Sequence, residues 1–235
     1  MVLPVLPRYI LICGFLLCNF YVYGQNMQIY PSLIGLNEFD LPVTHSKEWY
    51  VLNHSLENYI IDNSGNVIII KESKRGNYSY NANPGTFIGT NMGEWGGQLK
   101  FINDEEEYTI LNENICGIIA YNDSIYVLTG LTHLGISEGK IVKIESINGK
   151  WDHTIISKFN SSPETFAIFE NKLYIVTSNG LIVFNGYNIK QLLEKQFWTS
   201  LYPNSVFIND KIIGIGMRGC IAIMDKENKE IKCYK

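Results

Sequence analysis

The chain has 235 residues, 46% of them hydrophobic, with 19 basic against 23 acidic side chains and a formal charge of −4. That length and apolar content suit one globular domain with its own core, and the charge balance lacks the basic footprint of a nucleic-acid binder. With 20 Gly and 7 Pro, both near average, collagen-like and low-complexity chains are excluded as well.

Taken in chain order, residues 1–24 form a separate object. Arg8 is the sole charge before Glu38, and the uncharged run 9–18 follows it. A basic start, a short apolar run and small residues near Gly24 make a secretory signal, with Val22 and Gly24 placed for cleavage before Gln25. The run falls short of the roughly 20 apolar residues that span a bilayer. Membrane attachment is therefore expected only if this segment stays on the chain as an anchor. The expected destination is the periplasm, the cell envelope or the extracellular space, with residues 25–235 as a single domain. That domain carries Cys116, Cys220 and Cys233, so at most one disulfide can form. No pair has metal spacing, and Cys116 and Cys220, set in apolar runs, read as small core hydrophobes.

The rest of the chain repeats. Residues 118–129, 166–177 and 205–215 each pair two apolar runs across a polar dipeptide, and 86–90 begins a poorer copy. A glycine opens the next run at Gly97, Gly139, Gly180 and Gly219, at spacings of 42, 41 and 39. One period earlier lies a weak fifth copy at 57–62, without the glycine. Periods of this size mark propellers and related arrays. Val, Ile, Tyr and Phe dominate runs bounded by Asn, Asp, Gly and Ser, which is strand chemistry. Asn122-Asp123, Glu170-Asn171 and Asn209-Asp210 are expected to be two-residue hairpin turns. Fourth strands are expected at 152–156, 189–193 and 230–234, the middle one with helical composition as an alternative. The expected fold is all-β: a β-propeller of about five four-stranded antiparallel blades. Residues 25–50 do not fit the repeat.

The unit holding Ile125-Tyr-Val-Leu-Thr-Gly130, then Ile141-Val-Lys-Ile144, then Trp151, resembles a kelch repeat. The glycine pair of that repeat is incomplete here and the other units lack the tryptophan. The resemblance implies a propeller and says little about activity.

In such a fold, the loops between second and third strands share one face. Here they are 91–96, 130–138, 178–179 and 217–218, and the first two are long. Added length on one face is how repeat proteins gain a binding surface. The candidate binding residues are Asn91, Glu94, Trp95, His133, Glu138 and Arg218. Glycines around Glu94-Trp95 permit close backbone approach, and an exposed Trp offers a flat contact; the competing reading packs Trp95 over its own blade. His133 is either a general base or a solvated loop residue. Arg218 holds an anionic group or pairs with a neighbouring carboxylate. The run 104–107 is a solvated acidic turn.

No nucleophile elbow, zinc-protease motif, P-loop or dinucleotide fingerprint is present. No cofactor and no metal are expected. Four glycosylation sequons, at Asn53, Asn77, Asn122 and Asn160, carry weight in a eukaryotic source only. The reading that follows is an exported, non-catalytic recognition module whose looped face binds a protein, peptide or glycan. The alternative is a propeller-fold hydrolase or lyase acting on a sugar or lactone, with Glu94 or His133 as acid or base.

Overall fold

The computed structural model describes residues 31–71 and 76–235. The export signal read at 1–24 lies outside them. Among the described residues the chain is all-β apart from one short helix and a 3-10 turn, and no helix is long and apolar enough to cross a membrane.

Strand β1 (Glu38–Phe39) precedes helix α1 (Lys47–Asn53), and β2 (Asn58–Ile61) and β3 (Val67–Ile70) form a two-stranded sheet. The next sheet runs in order β4 (Asn77–Ala82), β5 (Gly85–Thr90), β6 (Leu99–Ile102) and β7 (Glu107–Leu111). A second four-stranded sheet holds β8 (Ile115–Tyr121), β9 (Ser124–His133), β10 (Ile136–Ile147) and β11 (Lys150–Phe159). The third holds β12 (Pro163–Phe169), β13 (Lys172–Thr177), β14 (Gly180–Phe184) and β15 (Ile189–Leu193). The last is β16 (Ser205–Ile208), β17 (Ile212–Met217), β18 (Cys220–Asp225) and β19 (Ile231–Tyr234), and it takes β1 as a fifth strand against β19. Every pairing is antiparallel. These are the four-stranded units expected from the period of about 41.

Neighbouring sheets meet through their first strands: β4 lies against β8, β8 against β12, β12 against β16, and β16 with β17 against β2. Both faces of the middle strands are therefore covered. The strands β13, β14 and β17 are apolar and buried almost throughout, which is why their sequences run on without alternating. Tryptophan and phenylalanine fill the seams. Trp151, on β11, packs its ring 5.2 Å from Phe87 of the preceding sheet.

The marker glycines have a steric cause. A Cβ at Gly97 would stand against the Thr90 carbonyl, at Gly139 against Phe159 and the Ser161 carbonyl, and at Gly180 against the Leu193 carbonyl. Gly219 instead has φ +77°, a left-handed conformation that costs glycine little. The same hydrogen bond then recurs in three sheets: Asn91 N–H to Gly76, Gly130 N–H to Asn114, and Ser178 N–H to Ser162, at 2.8, 3.2 and 2.7 Å.

Four sequence expectations need correction or closure. Asn122-Asp123 and Glu170-Asn171 are two-residue turns with positive φ at both positions, as the primed hairpin turns require. Asn209-Asp210 is not such a turn. Three residues separate β16 from β17 there, and Asn209 Oδ1 accepts from Lys211 and Ile212 N–H. The stretch 189–193 is strand, not helix. Among the described residues the fifth copy has two strands where the other sheets have at least four.

Helix α1 occupies part of the region that did not fit the repeat. Ser46 caps it, accepting from Trp49 N–H at 3.2 Å, the usual role of serine there. Trp49 and Leu52 are buried, and Trp49 Nε1 donates to the Phe197 carbonyl at 2.8 Å. The helix thus joins the core around Trp198, Leu201 and Met217. The three described cysteines are buried and unbridged. Contact with the Cys233 thiol, then burial, pushes the Cys220 thiol well above its usual range.

Candidate functional site

Two of the loops expected to be long are built differently. Residues 93–95 wind a 3-10 turn. The stretch 130–138, read as a loop, is a prolongation of the β9–β10 hairpin: Gly130 pairs with Gly139, Leu131 with Glu138, Thr132 with Ser137 and His133 with Ile136. Leu134 and Gly135 make its tip, with φ of 47° and 84°. A strand extension is a stiffer support for side chains than an open loop.

The 3-10 turn and the hairpin lean on each other. Asn114, just before β8, clamps the turn: its Nδ2 donates to the Gly93 carbonyl at 2.7 Å and its Oδ1 accepts from Met92 N–H at 3.2 Å. Glu94 Oε2 then sits 3.2 Å from His133 Nε2, with both side chains partly open to solvent. Asn91 braces the same turn, accepting from Gly93 N–H at 3.0 Å while its Nδ2 reaches Cys116 Sγ at 3.5 Å. Asn91, Glu94 and His133 are therefore together. Trp95 lies beside them with 80% of its surface exposed, so it does not pack over its own sheet. Met92, Leu134 and Ile136 are exposed on the same two segments.

These segments border a cavity of about 660 Å³. Four sheets and the segment before the last contribute: Asn58 and Ile60 from β2, Tyr78 from β4, Cys116 from β8, Pro163 to Phe166 from β12, and Asn204 just before β16. Asn91 and His133 are among the lining residues.

Two candidates lie elsewhere. Glu138 borders a smaller cavity of about 200 Å³ with Glu113 and Lys140. Glu113 was not singled out by sequence. Its carboxylate takes the Lys140 ammonium on Oε1 and the Thr129 hydroxyl on Oε2, the latter at 2.6 Å. Burial alone would raise its pKa; the hydrogen bonds from Lys140 and Thr129 outweigh it and hold the group below the usual carboxylate range. Among the described residues Arg218 has no carboxylate partner. Its guanidinium donates to the Asn53 carbonyl at the end of α1, at 3.1 Å, and stacks 4.6 Å over the Tyr202 ring. It closes the helix C-terminus, a favoured place for a cation.

Sequence reading also passed over a chain of hydroxyls between the second and third four-stranded sheets. Ser137 meets Ser178 at 3.1 Å, Ser178 meets Ser161 at 3.0 Å, and Ser161 donates to Asn179 at 2.7 Å. Single serines in loops give no signal in sequence; only the sheet packing aligns them. Among the described residues, no group of three or more His, Cys, Asp or Glu side chains is placed to hold a metal ion.

No protein-family profile matches this sequence, and a search of curated proteins finds no relative.

Proposed function

We propose that this protein is an exported, non-catalytic recognition module, a β-propeller of five blades in which the β2–β3 sheet is the abbreviated fifth, with kelch-like organisation in the β8–β11 unit. The order of contact between sheets and a cavity bordered by four of them and by the segment leading into the fifth support the propeller. The looped face would receive a protein, peptide or glycan.

One observation carries the reading. Met92, Trp95, Leu134 and Ile136 are large apolar side chains left exposed on two segments that touch each other, and the polar Glu94–His133 pair joins those segments. Scattered exposed apolar residues need no explanation, but grouped ones beside a cavity mark interaction surfaces, and tryptophan is a frequent anchor of binding energy. Arg218 leaves the list of contact residues, because it is engaged with α1 and Tyr202.

The test is capture of a partner from the native cell envelope by the full chain, beside a Trp95→Ala/Leu134→Ser variant. A Tyr187→Ala variant, which removes an exposed ring from the β14–β15 turn, serves as the control. Loss of the partner in the first variant alone, with unchanged circular dichroism, supports the docking patch. Equal retention by all three overturns it.

The Glu94–His133 contact favours a second reading. A carboxylate that holds an imidazole at a cavity mouth is an arrangement for a general base, and it would serve a hydrolase or lyase acting on a sugar or lactone. Turnover of a lactone or glycoside that vanishes in His133→Gln would establish that reading over the first.

A further inference from the structure

The cavity beneath the looped face has a chemistry different from that of the patch beside it. Its walls carry the amides of Asn58 and Asn204 and the hydroxyls of Ser162 and Ser200; the Asn91 and Asn114 amides and the Ser178 hydroxyl, also among the lining residues, are engaged in the 3-10 turn and the serine chain. Threonine joins them at Thr132, Thr165 and Thr199. Asn58, Asn114, Ser162 and Ser178 are each at least nine-tenths buried. Tyr78, Tyr202 and Phe166 add aromatic rings to the walls. Among the described lining residues there is no Lys and no Arg, Glu164 is the one carboxylate and His133 the one imidazole. The nearby backbone contributes little, because the Gly76, Asn114 and Ser162 carbonyls are spent on bonds within their own sheets.

One wall is held in an uncommon conformation. Ser200 and Tyr202 have φ of 60° and 55°, a region that non-glycine residues seldom occupy. Trp198 and Leu201, both fully buried, anchor that segment, as do the Leu201 carbonyl bond from Arg218 N–H and the Arg218 stack on Tyr202. Left-handed residues persist where the surroundings over-determine them, and such places are often ligand walls.

We propose that this cavity binds an uncharged, hydroxyl-rich molecule, a sugar of one or a few units. Amides and hydroxyls both donate and accept, as the hydroxyls of a sugar do. Aromatic walls suit the apolar faces of a sugar ring. Asn204 Nδ2 is buried with no hydrogen-bond partner among the described residues, and an apolar ligand would leave it so, which is costly. Among the described lining residues an anion would meet no Lys or Arg and would face Glu164. The volume of about 660 Å³ falls within the usual size of small-molecule sites. This inference goes beyond the docking patch and does not depend on it.

The experiment is calorimetric titration of the full chain with neutral hexoses, N-acetylhexosamines and their disaccharides, each matched to its uronic acid and its free-amine analogue. A saturable response to a neutral sugar, at least tenfold tighter than to its uronate, is expected. Thr165→Val/Ser200→Gly removes two lining hydroxyls and relaxes one left-handed residue, and should weaken that binding about tenfold. Glu164→Gln should narrow the gap between neutral sugar and uronate, and Tyr187→Ala should change nothing. Absence of binding by every neutral sugar at millimolar concentration overturns the proposal, as does affinity untouched by the double variant. Binding of the free-amine sugars alone overturns it in favour of an organic cation. Heat of sugar binding is read separately from partner capture, so failure here leaves the docking test standing.

Discussion

The hairpins β9–β10 and β13–β14 are the same device built twice. Their inner halves match: Val127, Leu128 and Thr129 in one, Ile175, Val176 and Thr177 in the other, all without solvent exposure. Past the buried threonine they part. The shorter hairpin turns at once through Ser178 and Asn179, whereas the longer runs on to His133 and carries Leu134 89% exposed at its tip. The threonines themselves differ. Thr129 Oγ1 donates to Glu113, while Thr177 Oγ1 is buried with no hydrogen-bond partner among the described residues. The conserved geometry of the inner halves is a packing requirement, and the chemistry was added outside it. In this molecule stability and candidate function occupy different lengths of one hairpin.

Three perturbations break or sharpen that contrast. The largest concerns the inner half of the short hairpin. Trp198 is fully buried and donates from Nε1 to the Thr177 carbonyl at 3.1 Å. Trp198→Ala should destabilise the fold by about 3–5 kcal/mol, read as a lower urea midpoint at unchanged slope. A loss below 1 kcal/mol would mean that this seam is not a packed core.

A smaller effect is expected at the base of the long hairpin. Glu113→Gln or Thr129→Val should each cost about 1–2 kcal/mol near neutral pH, the value of a partly solvated charged hydrogen bond. Because folding lowers the Glu113 pKa from its ordinary value of 4.5, its contribution is present above that value and is lost as pH falls through the folded value. Melts between pH 6 and pH 3 should therefore converge for Glu113→Gln and the native chain at the acid end. A difference that persists at low pH would show that the side chain acts through packing and not through charge.

The smallest effect tests the contrast most directly. Thr177→Val removes a hydroxyl that has no partner, so it should be neutral or stabilising by up to about 1 kcal/mol, against a clear loss for Thr129→Val. Equal losses at the two threonines would erase the distinction between the hairpins.

What was legible in the sequence were features with local causes. The glycine period could be read because at Gly97, Gly139 and Gly180 a side chain would strike the backbone of a neighbouring segment. The turns at Asn122-Asp123 and Glu170-Asn171 could be read because their residue types tolerate positive φ. Asn209-Asp210 has the same composition, but an Asn209 side chain that accepts two backbone N–H groups makes a longer turn. The extension 130–138 was hidden because its tip residues are apolar and its edges polar, the reverse of a buried strand. Asn91, Glu94 and His133 were found through loop length, and the structure brings them together. The contacts of Arg218 and Glu113 were not legible for one reason: their partners, Asn53 and Lys140, are distant in sequence, at separations of 165 and 27 residues. No window of local pattern holds such information.

The pairing of β1 with β19 carries one more consequence. Asn37 and Lys235 exchange two backbone hydrogen bonds, Glu38 faces Tyr234, and Phe39 faces Cys233. This tie joins positions separated by 196 residues, so a ribosome must deliver the whole of the last sheet before it can form. Traction applied at positions 37 and 235 loads these two residue pairs first, ahead of every four-stranded sheet. A single-molecule pull from those points should give a weak early release before the main rupture. Joining the same two positions by a short covalent linker and opening the chain at the Leu134–Gly135 tip should remove that early event, leaving a permuted chain whose first failure lies elsewhere.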